Sequence, residues 1–483
     1  MRFLTVQRIL GLLLAMFSLT MLPPIGVSLL FDDRNWSVFA ISSAIVLSSG
    51  LALWWPARKH RRELRIRDGF LVVALFWIVL GLFGAVPLLL ADRPILGFTD
   101  AVFESMAGLT TTGATVLAGL DSLPPSILYY RHQLQWFGGL GIVVLAVAVL
   151  PMLGVGGMQL YRAELPGPVK DMKLTPRITE TAKALWYVYF GITVVCGTAY
   201  WLAGMSVFDA ICHSFATVSI GGYSTHDANL GYFDSPLIEM IAIFFMFLSG
   251  ANFSLHFVAW RDRSLRSYFA DPEFKAYFWI LVALSVFVVA YLTWTQHYAA
   301  FPEALRKGVF HVVSIATTTG FMTDVYGAWP GGLPVLLIFS SFIGGCGGST
   351  AGGIKVVRWL LMYKQGSREF QRLVHPNAEI AVKLGGKVVP PRIVDSVWGF
   401  FAAYVLVFAV LMLIMLSAGM DQVSAFAAVA STLNNLGTGL GEVTSVFMSV
   451  DAVAKWASIC AMLLGRLEIF ALLVLVTPTF WRG

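Results

Sequence analysis

Two identical tetrapeptides are the first feature of this sequence that could do chemistry. Thr-Thr-Thr-Gly occurs at 110–113 and again at 317–320. Each copy lies between long apolar segments, which would place its hydroxyl and carbonyl oxygens at membrane depth rather than in water. A helix end capped by glycine is the alternative interpretation of either copy taken alone.

Two further segments align with these copies around a single glycine column. "DAVFESMAGLTTTGAT" matches "DAICHSFATVSIGGYS" without a gap, which pairs Gly113 with Gly222. "KGVFHVVSIATTTGFM" places Gly320 in the same column. "TLNNLGTGLG" offers two glycines, Gly437 and Gly439, and the order Asn-Asn-Leu-Gly favours Gly437. The sequence therefore predicts a set of four related loops, whose fourth register is open between these two glycines.

The spacing of the aligned glycines predicts four repeats of similar length. The positions 113, 222, 320 and 437 lie 109, 98 and 117 residues apart. Each repeat would consist of a helix, a re-entrant segment and a second helix, and two further helices would precede the set. We assign an N-terminal two-helix extension and four pore repeats, in order 1–68, 69–168, 169–270, 271–375 and 376–483.

Composition indicates the class of protein that carries these loops. Of 483 residues, 58% are hydrophobic and only 12% are charged, with a mean hydropathy of +0.76. A soluble chain has about 25% charged residues, so this is a polytopic membrane protein and not a soluble enzyme. The four cysteines have no paired spacing, which indicates neither a disulfide framework nor a zinc site.

Apolar runs predict the helices that must position the loops. Ten runs are long enough to span a bilayer, near 8–31, 37–57, 69–91, 133–154, 182–204, 235–259, 274–296, 331–362, 395–418 and 453–477. Four shorter stretches fit re-entrant segments, at 99–112, 207–220, 305–318 and 422–435. The expected fold is an all-α polytopic membrane protein with two N-terminal helices and four helix–re-entrant pore loop–helix repeats around a pseudo-fourfold pore.

The distribution of charge predicts the orientation. The net charge of +6 comes from basic residues clustered in short loops, at 58–68, 161–177, 260–269 and 363–392. Such loops face the cytoplasm, so this charge indicates membrane topology and not a nucleic-acid partner. The intervening loops contain little Lys or Arg and should face outside, which leaves both termini cytoplasmic. The loop 363–392 could also bind a partner protein.

The predicted geometry suits a monovalent cation. Each half-helix would end near the middle of the membrane, and a helix C-terminus carries about half a negative charge. Glycine permits positive φ, and a ring of carbonyl oxygens can replace the hydration shell of such an ion. No Asp, Glu, Lys or Arg occurs within 110–114, 219–223, 317–321 or 434–438. Divalent cations would call for carboxylates and anions for basic side chains, so neither fits these loops.

With these features together, the chain resembles the Trk/Ktr/HKT superfamily, and within it the bacterial Trk-type potassium uptake proteins. The four loops, the helix plan and the segment "GGCGGSTAGGIK" carry the resemblance, as do "SIGGYSTHDA", "LVHPNA", "TLNNLGTGLG" and "GRLEIFALLVLVTPTFWR". The resemblance implies a potassium-translocating subunit of the bacterial inner membrane that is not an enzyme. It implies K+ as the transported ion and no nucleotide bound by this chain. Its implied partners are a second copy in a homodimer, a TrkA-type cytoplasmic nucleotide-binding (RCK) ring and membrane lipids, without nucleic acid.

The resemblance also implies which residues contact the ion. Backbone carbonyls would supply most of the ligands, which makes an isoleucine or a leucine acceptable in a filter. The positions carried over are Thr111, Thr112, Gly113, Ile220, Gly221, Gly222, Thr318, Thr319, Gly320, Asn435, Leu436 and Gly437.

A glycine-rich segment interrupts the apolar run at 331–362. As a phosphate-binding loop it fails, because Ile354 separates Gly353 from Lys355. Close packing of small residues between helices is one interpretation. The resemblance favours another, an intramembrane loop that gates the pore together with an arginine of the last helix. The residues of this expected gate are Gly345, Gly347, Gly348, Ser349, Thr350, Gly352, Gly353, Lys355 and Arg466.

Two charges interrupt the last apolar run, and intramembrane charges are usually functional. Arg466 and Glu468 could form a salt bridge, with each other or with neighbours, that fixes helix packing. Alternatively, Arg466 projects into the pore below the filter, where its charge would oppose the passage of cations. The resemblance supports the second interpretation.

Five polar residues on the half-helices have simpler expected roles. Glu104, His213 and His311 share one column, nine residues before their glycines, and should hold the half-helices against neighbours. Direct ion contact is less expected, because they precede the filter by more than two turns. Asp100 and Asp209 are expected to be helix N-caps.

Two other function classes compete with this prediction. A proton- or sodium-coupled potassium symporter would place ionisable residues near the midplane in paired broken helices. Here such residues are few, and the repeats are parallel rather than inverted. A membrane-embedded enzyme would need a catalytic constellation of side chains, and the sequence offers none at membrane depth.

Overall fold

The computed structural model describes residues 3–60, 66–144 and 178–482. Within these ranges the chain is helical except for turns and one small hairpin, formed by β1 (Lys383–Leu384) and β2 (Lys387–Val388). The basic loop expected at 161–177 lies outside the described residues, as do the boundary expected at 168 and part of the loop 58–68.

The N-terminal extension is a helical hairpin. It comprises α1 (Phe3–Ser18), α2 (Leu22–Phe31) and α3 (Trp36–Ala57). Glycines let the two arms approach closely, since a Cβ added at Gly11 would lie 2.6 Å from the Trp54 amide nitrogen. The hairpin packs on α4 and α7 of the first repeat, so it lies outside the set of four.

Each repeat begins with a long helix and continues with a half-helix. The first repeat contains α4 (Ile66–Gly84), α5 (Val86–Leu90), α6 (Phe98–Leu109) and α7 (Pro125–Val144). The second contains α8 (Ile178–Leu202), α9 (Val207–Val218), α10 (Pro236–Ser249), α11 (Phe253–Asp262) and α12 (Arg266–Ala270).

The third and fourth repeats follow the same order. The third contains α13 (Pro272–Trp294), α14 (Phe301–Ala316), α15 (Leu333–Ser341) and α16 (Val356–Val374). The fourth contains α17 (Pro391–Ser417), α18 (Gln422–Leu433), α19 (Ala452–Arg466), α20 (Phe470–Val476) and α21 (Pro478–Trp481). The half-helices are α6, α9, α14 and α18, and they cover the four stretches that the sequence predicts as re-entrant.

The lengths of the helices agree with most of the expected spans. Six described helices are long and apolar enough to cross a membrane, and two bent pairs raise this to eight. The bends are 95° between α10 and α11 and 114° between α19 and α20. Of the other two expected runs, 133–154 extends beyond the described residues, and 331–362 is divided into α15, a non-helical segment and α16.

The expected N-caps are wrong at both positions. Asp100 lies inside the first turn of α6, whose N-cap is Gly97, and its carboxylate pairs with Lys455 at 2.7 Å. Ser206 caps α9, accepting a hydrogen bond from the Asp209 amide and donating one to the Asp209 carboxylate. Both aspartates still place negative charge in a first turn, where the helix dipole favours it.

Candidate ion-conduction site

The four half-helices end in loops with the same backbone conformation. In each loop the aligned glycine has positive φ, and so does the residue two positions before it. The φ values are 52° and 78° at Thr111 and Gly113, 56° and 74° at Ile220 and Gly222, 67° and 79° at Thr318 and Gly320, and 55° and 88° at Asn435 and Gly437. Left-handed conformation is uncommon for the β-branched residues threonine and isoleucine, although asparagine adopts it more readily. Its recurrence at one column therefore indicates a shared structural requirement.

In every loop, the residue between these two positions directs its backbone N–H back to the half-helix. It donates to the carbonyl five residues earlier, at 2.7–2.9 Å in all four cases: Thr112 to Ala107, Gly221 to Ala216, Thr319 to Ser314 and Leu436 to Ser431. These bonds satisfy carbonyls that the ends of the half-helices would otherwise leave without partners. They also fix the peptide planes of the four loops in the same way.

The loops close into a ring through their glycines. A Cβ added at Gly113 would lie 1.9 Å from the carbonyl oxygen of Gly221 in the second loop. The same test at Gly222 meets the carbonyl of Thr319, also at 1.9 Å. At Gly320 and Gly437 it meets the carbonyls of Leu436, at 2.1 Å, and of Thr112, at 2.3 Å. Each glycine thus packs on the next loop, and the fourth packs on the first.

This ring decides between the two candidate glycines of the fourth loop. Gly437 has positive φ and contacts the first loop, as its column requires. Gly439 does not have positive φ, and an added Cβ there would meet Val443 of its own loop. The structure therefore places Gly437 in the aligned column.

The hydroxyls of the two Thr-Thr-Thr-Gly copies form matching bonds. In each copy the first threonine donates to the carbonyl four residues earlier, and it lies 2.8 Å from the hydroxyl of the third, Thr112 or Thr319. The middle threonines differ. Thr318 accepts a hydrogen bond from the Gly352 amide, whereas the buried Thr111 hydroxyl has no partner among the described residues.

Side chains outside the four glycine positions hold the ring in place through hydrogen bonds. Gln135 of α7 donates to the Gly221 carbonyl at 2.6 Å and accepts from the Tyr223 amide at 3.3 Å. A Cβ at Gly221 would lie 2.4 Å from the Gln135 side chain, which explains a glycine where the other loops have larger residues. Tyr223 in turn donates to the carbonyls of Glu104 and Ala114 in the first repeat.

In the first three repeats, Glu104, His213 and His311 tie the half-helix to the segment that follows its loop. Glu104 accepts hydrogen bonds from the Thr115 hydroxyl and the Val116 amide, each at 3.0 Å. The expectation that these residues hold the half-helices in place is therefore met, through contacts within their own repeats.

The two histidines make equivalent contacts. His213 contacts the Ser224 hydroxyl at 3.0 Å, and His311 contacts the Asp324 carbonyl at 3.1 Å. The fourth repeat has alanine in this column, and there the Tyr326 hydroxyl donates to the Gly439 carbonyl instead.

Glu104 also forms a buried ion pair that the sequence analysis missed. Its carboxylate lies 2.6 Å from Nε of Arg131 on α7, and both side chains are almost completely buried. The Arg131 guanidinium lies over the Tyr223 ring, 4.1 Å from the centroid. Arg131 thus links the first half-helix to α7 and to the second loop.

We expect Glu104→Gln to destabilise the protein by about 3 kcal/mol, because it leaves the buried Arg131 without its counter-charge. Thermal unfolding in detergent would measure this. Glu442→Gln, at an exposed carboxylate in the segment between α18 and α19, serves as the matched control and should leave the midpoint unchanged. Adding Arg131→Met to Glu104→Gln should restore part of the loss. A Glu104→Gln midpoint equal to that of the control would contradict this role.

Above the ring, the first and second repeats are joined at the side expected to face outside. His226 donates to the Asp121 carboxylate at 2.5 Å and stacks on Tyr232 at a centroid distance of 3.5 Å. The hydrogen bond from His226 lowers the pKa of Asp121. Asp227 accepts from the Gly119 amide at 2.9 Å, so the two loops are bonded in both directions.

The glycine-rich segment 342–355 is a loop that lies directly against the ring. The Gly352 amide donates to the Thr318 hydroxyl at 2.7 Å, and the Gly353 amide donates to the Asn434 carbonyl at 3.1 Å. A Cβ at Gly352 would lie 1.9 Å from that same carbonyl. The glycine-rich segment therefore contacts both the third and the fourth loops of the ring.

Glu273 of α13 links the interior of this loop to the first turn of α16. Its carboxylate is buried and accepts from the Gly347 amide at 2.7 Å and from the Val357 amide at 3.2 Å. Lys355, an expected gate residue, donates back to the Ala351 carbonyl. Sequence reasoning missed Glu273, since it lies 74 residues before its first partner.

Arg466 ends α19 and is buried beneath the ring. Its guanidinium donates to the Thr350 carbonyl in the loop and to the Gly138 carbonyl on α7, both at 3.1 Å. Glu468 pairs instead with Arg358 of α16, at 2.7 Å. Of the two expected forms of salt bridge, the mutual one between Arg466 and Glu468 is therefore wrong, and the one with a neighbour is confirmed for Glu468.

The donor atoms of the site are neutral oxygens. Across the described ranges, no group of three His, Cys, Asp or Glu side chains is arranged to hold a metal ion. The oxygens of the ring are backbone carbonyls and threonine hydroxyls, groups that can coordinate a cation without a counter-charge.

Comparison with known proteins agrees with this architecture. TrkH, a family described as cation transport proteins, matches residues 35–482. The Trk system potassium uptake protein TrkH of Vibrio parahaemolyticus is 57% identical over 487 residues, covering 100% of both chains. TrkG of Escherichia coli K12, also named a Trk system potassium uptake protein, is 42% identical over 474 residues, covering 98% of this chain and 97% of that protein.

A solved structure extends the likeness to three dimensions. The crystal structure of the potassium transporter TrkH from Vibrio parahaemolyticus matches with a TM-score of 0.93 and 54% identity, covering 100% of both chains. A family match over most of the chain, together with these relatives, establishes the class. The chain is a multi-pass membrane protein that belongs to the TrkH family of cation transport proteins.

Proposed function

We propose that this chain takes up potassium through a filter formed by its four loops. The closed ring, in which each glycine packs on a carbonyl of the next loop, is the observation that carries the proposal. The names of its relatives as potassium uptake proteins support the choice of ion. The protein would act as a transport subunit and not as an enzyme.

The filter would use carbonyl oxygens at successive levels. The first level is the residue of positive φ, namely Thr111, Ile220, Thr318 or Asn435. The second is the residue that precedes the glycine, namely Thr112, Gly221, Thr319 or Leu436. Neutral oxygens suit an ion that must bind and then leave, because a carboxylate cage would hold it more tightly.

A proton- or sodium-coupled symporter is the competing proposal, and the placement of acidic groups argues against it. Glu104 is paired with Arg131, and Glu239 is paired with Lys307 at 3.1 Å. A coupled carrier would use such groups to exchange protons or sodium, whereas here they hold structural elements together. The four repeats also have the same order of elements, which suits one axial pore.

The loop 342–355 and Arg466 would form the gate. The loop contacts the filter at Thr318 and Asn434, and Arg466 holds it at Thr350. A positive charge below a cation filter opposes permeation electrostatically. Opening would then require the loop and Arg466 to separate.

We assign control of this gate to a TrkA-type nucleotide-binding ring at the cytoplasmic side. Within the segment 363–392, three exposed basic residues, Arg372, Lys387 and Arg392, would bind this partner. The chain would assemble as a homodimer in the bacterial inner membrane with both termini cytoplasmic. Cysteine labelling at the two termini in intact and in opened cells tests the orientation, and labelling in intact cells would contradict it.

Two measurements test the transport proposal. Expression in a cell that lacks potassium uptake should restore growth on low potassium. In proteoliposomes, potassium flux should then proceed without a proton or sodium gradient. Growth rescue combined with flux that requires either gradient would favour the symporter, and failure of both would reject uptake altogether.

The gate proposal predicts that Gly352→Ala raises flux in the absence of the partner. The added methyl group cannot fit against the Asn434 carbonyl, so the loop must leave the filter. Deleting 346–352 should have a larger effect in the same direction. Gly366→Ala on α16, where an added Cβ meets nothing within 4 Å, is the control. If both Gly352→Ala and the deletion of 346–352 gave the same flux as the wild type, the loop would have no gating role.

A further inference from the structure

An apolar groove beside the gating loop stands out from the lipid-facing surface. It has a volume of about 690 Å³ and lies between the third and fourth repeats. Its walls come from α13, α15, α16, α17 and α18. They include Phe342 and Ile343 at the start of the loop, Ile354 near its end and Val356, the first residue of α16.

The groove suits an apolar occupant. Its lining contains no charged residue, and the polar groups of two of its aromatic residues are engaged in hydrogen bonds. The Trp359 indole donates to the Phe342 carbonyl at 3.1 Å, and the Tyr404 hydroxyl donates to the Asn434 side chain at 2.5 Å. Water in this space would find few partners, and a cavity of this kind favours hydrocarbon.

A basic pocket continues from one end of the groove. Tyr363 lines both, and the pocket, of about 270 Å³, also includes Lys364, Arg368 and Lys383. None of the described residues that line it is acidic. Glu369, outside the lining, forms an ion pair with Arg368 at 3.0 Å. A ligand phosphate would therefore bind Arg368 together with this carboxylate. Three cations next to an apolar groove match the phosphate group of a lipid.

We propose that this composite site binds an anionic phospholipid of the cytoplasmic leaflet, with an acyl chain in the groove and the phosphate on Lys364, Arg368 and Lys383. A second apolar groove, of about 790 Å³ between α10, α13 and α14, has no basic residue in its lining. It can take a tail but offers nothing for an anionic headgroup, so lipid selectivity is expected at the first groove alone.

Bound lipid would stabilise the loop in its present position; this part rests on the proposed gate. Trp359 joins the helix after the loop to the residue that begins it. Tyr404 contacts Asn434, whose side-chain amide donates to Ser341 and whose carbonyl accepts from the loop residue Gly353. An acyl chain packed on these aromatic rings would oppose their rearrangement and keep the loop on the filter.

The test compares lipid binding and ion flux. Native mass spectrometry would count phosphatidylglycerol retained by the full chain, and flux would be measured in phosphatidylcholine vesicles with and without phosphatidylglycerol. Lys364→Gln, Arg368→Gln and Lys383→Gln together should weaken retention, by about fivefold for each charge removed. Val405→Trp, which fills the groove and leaves the charges intact, should also reduce retention.

The matched control removes three exposed cations elsewhere, by Arg261→Gln, Arg263→Gln and Arg266→Gln. It should retain phosphatidylglycerol as the wild type does. Phosphatidylglycerol should lower wild-type and control flux, but not the flux of the site variants. Equal retention in all variants would overturn the site. A change of oligomeric state in Val405→Trp with retention unaltered would instead assign the groove to a second copy.

The two readouts separate this inference from the proposed function. Retention is measured without transport, so the lipid site stands or falls on it even if the chain conducts no potassium. Normal potassium flux with equal retention would reject the lipid site and leave the uptake function intact. Altered retention with flux that does not respond to phosphatidylglycerol would reject the coupling to the gate.

Discussion

Replacing any one of the four ring glycines by alanine should reduce potassium uptake by roughly tenfold or more and weaken discrimination against sodium. The glycines are Gly113, Gly222, Gly320 and Gly437. At each one the new methyl group would lie within 2.3 Å of a carbonyl oxygen of the next loop. An alanine held in the left-handed conformation also destabilises the folded state by about 1–2 kcal/mol. The displaced carbonyl is one of the proposed ligands, so the effect should reach the filter itself.

Two other glycines separate the steric effect from backbone strain. Gly204 and Gly419 also have positive φ, at 108° and 93°, but an added Cβ at either position meets nothing within 4 Å. Gly204→Ala and Gly419→Ala should therefore cost some stability and leave the ratio of potassium to sodium uptake unchanged. If Gly222→Ala behaved like these controls, the second loop would not belong to the filter.

Replacing Arg466 by methionine should raise potassium flux in the absence of any partner, by roughly tenfold or more. The guanidinium makes two hydrogen bonds, to the Thr350 and Gly138 carbonyls. Such bonds from a charged group contribute about 1.5–3 kcal/mol each, and their loss frees the loop from α19. The substitution also removes a positive charge below the filter, which lowers the electrostatic barrier to a cation.

Arg466→Lys distinguishes the charge from the bonds. Lysine keeps the charge but lacks the planar fork that reaches two carbonyls at once. Flux in this variant should lie between those of the wild type and Arg466→Met. Flux assays in proteoliposomes with matched protein content measure all three. A wild-type value in Arg466→Met would show that the residue serves packing alone.

Local patterns were sufficient to predict the framework of the site. The half-helices were predictable because short apolar stretches next to glycine cannot cross a membrane. The glycine column was predictable because a left-handed position recurs at a fixed place in each repeat. The fourth loop lacks the Thr-Thr-Thr sequence, yet Asn435 and Gly437 have the same positive φ as the aligned residues of the other loops. The repeats therefore share backbone geometry and not side-chain identity.

Local sequence patterns could not predict the contacts between segments that are distant in the sequence. Arg131 and Gln135 lie on α7 and act on the first and second loops, and nothing in their local sequence indicates which carboxylate or carbonyl they meet. Glu468 follows Arg466 by two residues, yet it pairs with Arg358 because α19 and α20 are bent by 114° between them. Asp209 is not the N-cap of its helix because the Ser206 side chain, three residues earlier, already accepts the hydrogen bond of the Asp209 amide.

The central claim is that the four loops together bind the transported ion, and locating a heavy analogue of potassium tests it most directly. Crystals grown in rubidium or thallium should show anomalous density on the axis enclosed by the carbonyls of Thr112, Gly221, Thr319 and Leu436. The density should weaken in Gly222→Ala and persist in Gly204→Ala. Density confined to one or two loops, or located away from the ring, would contradict the account.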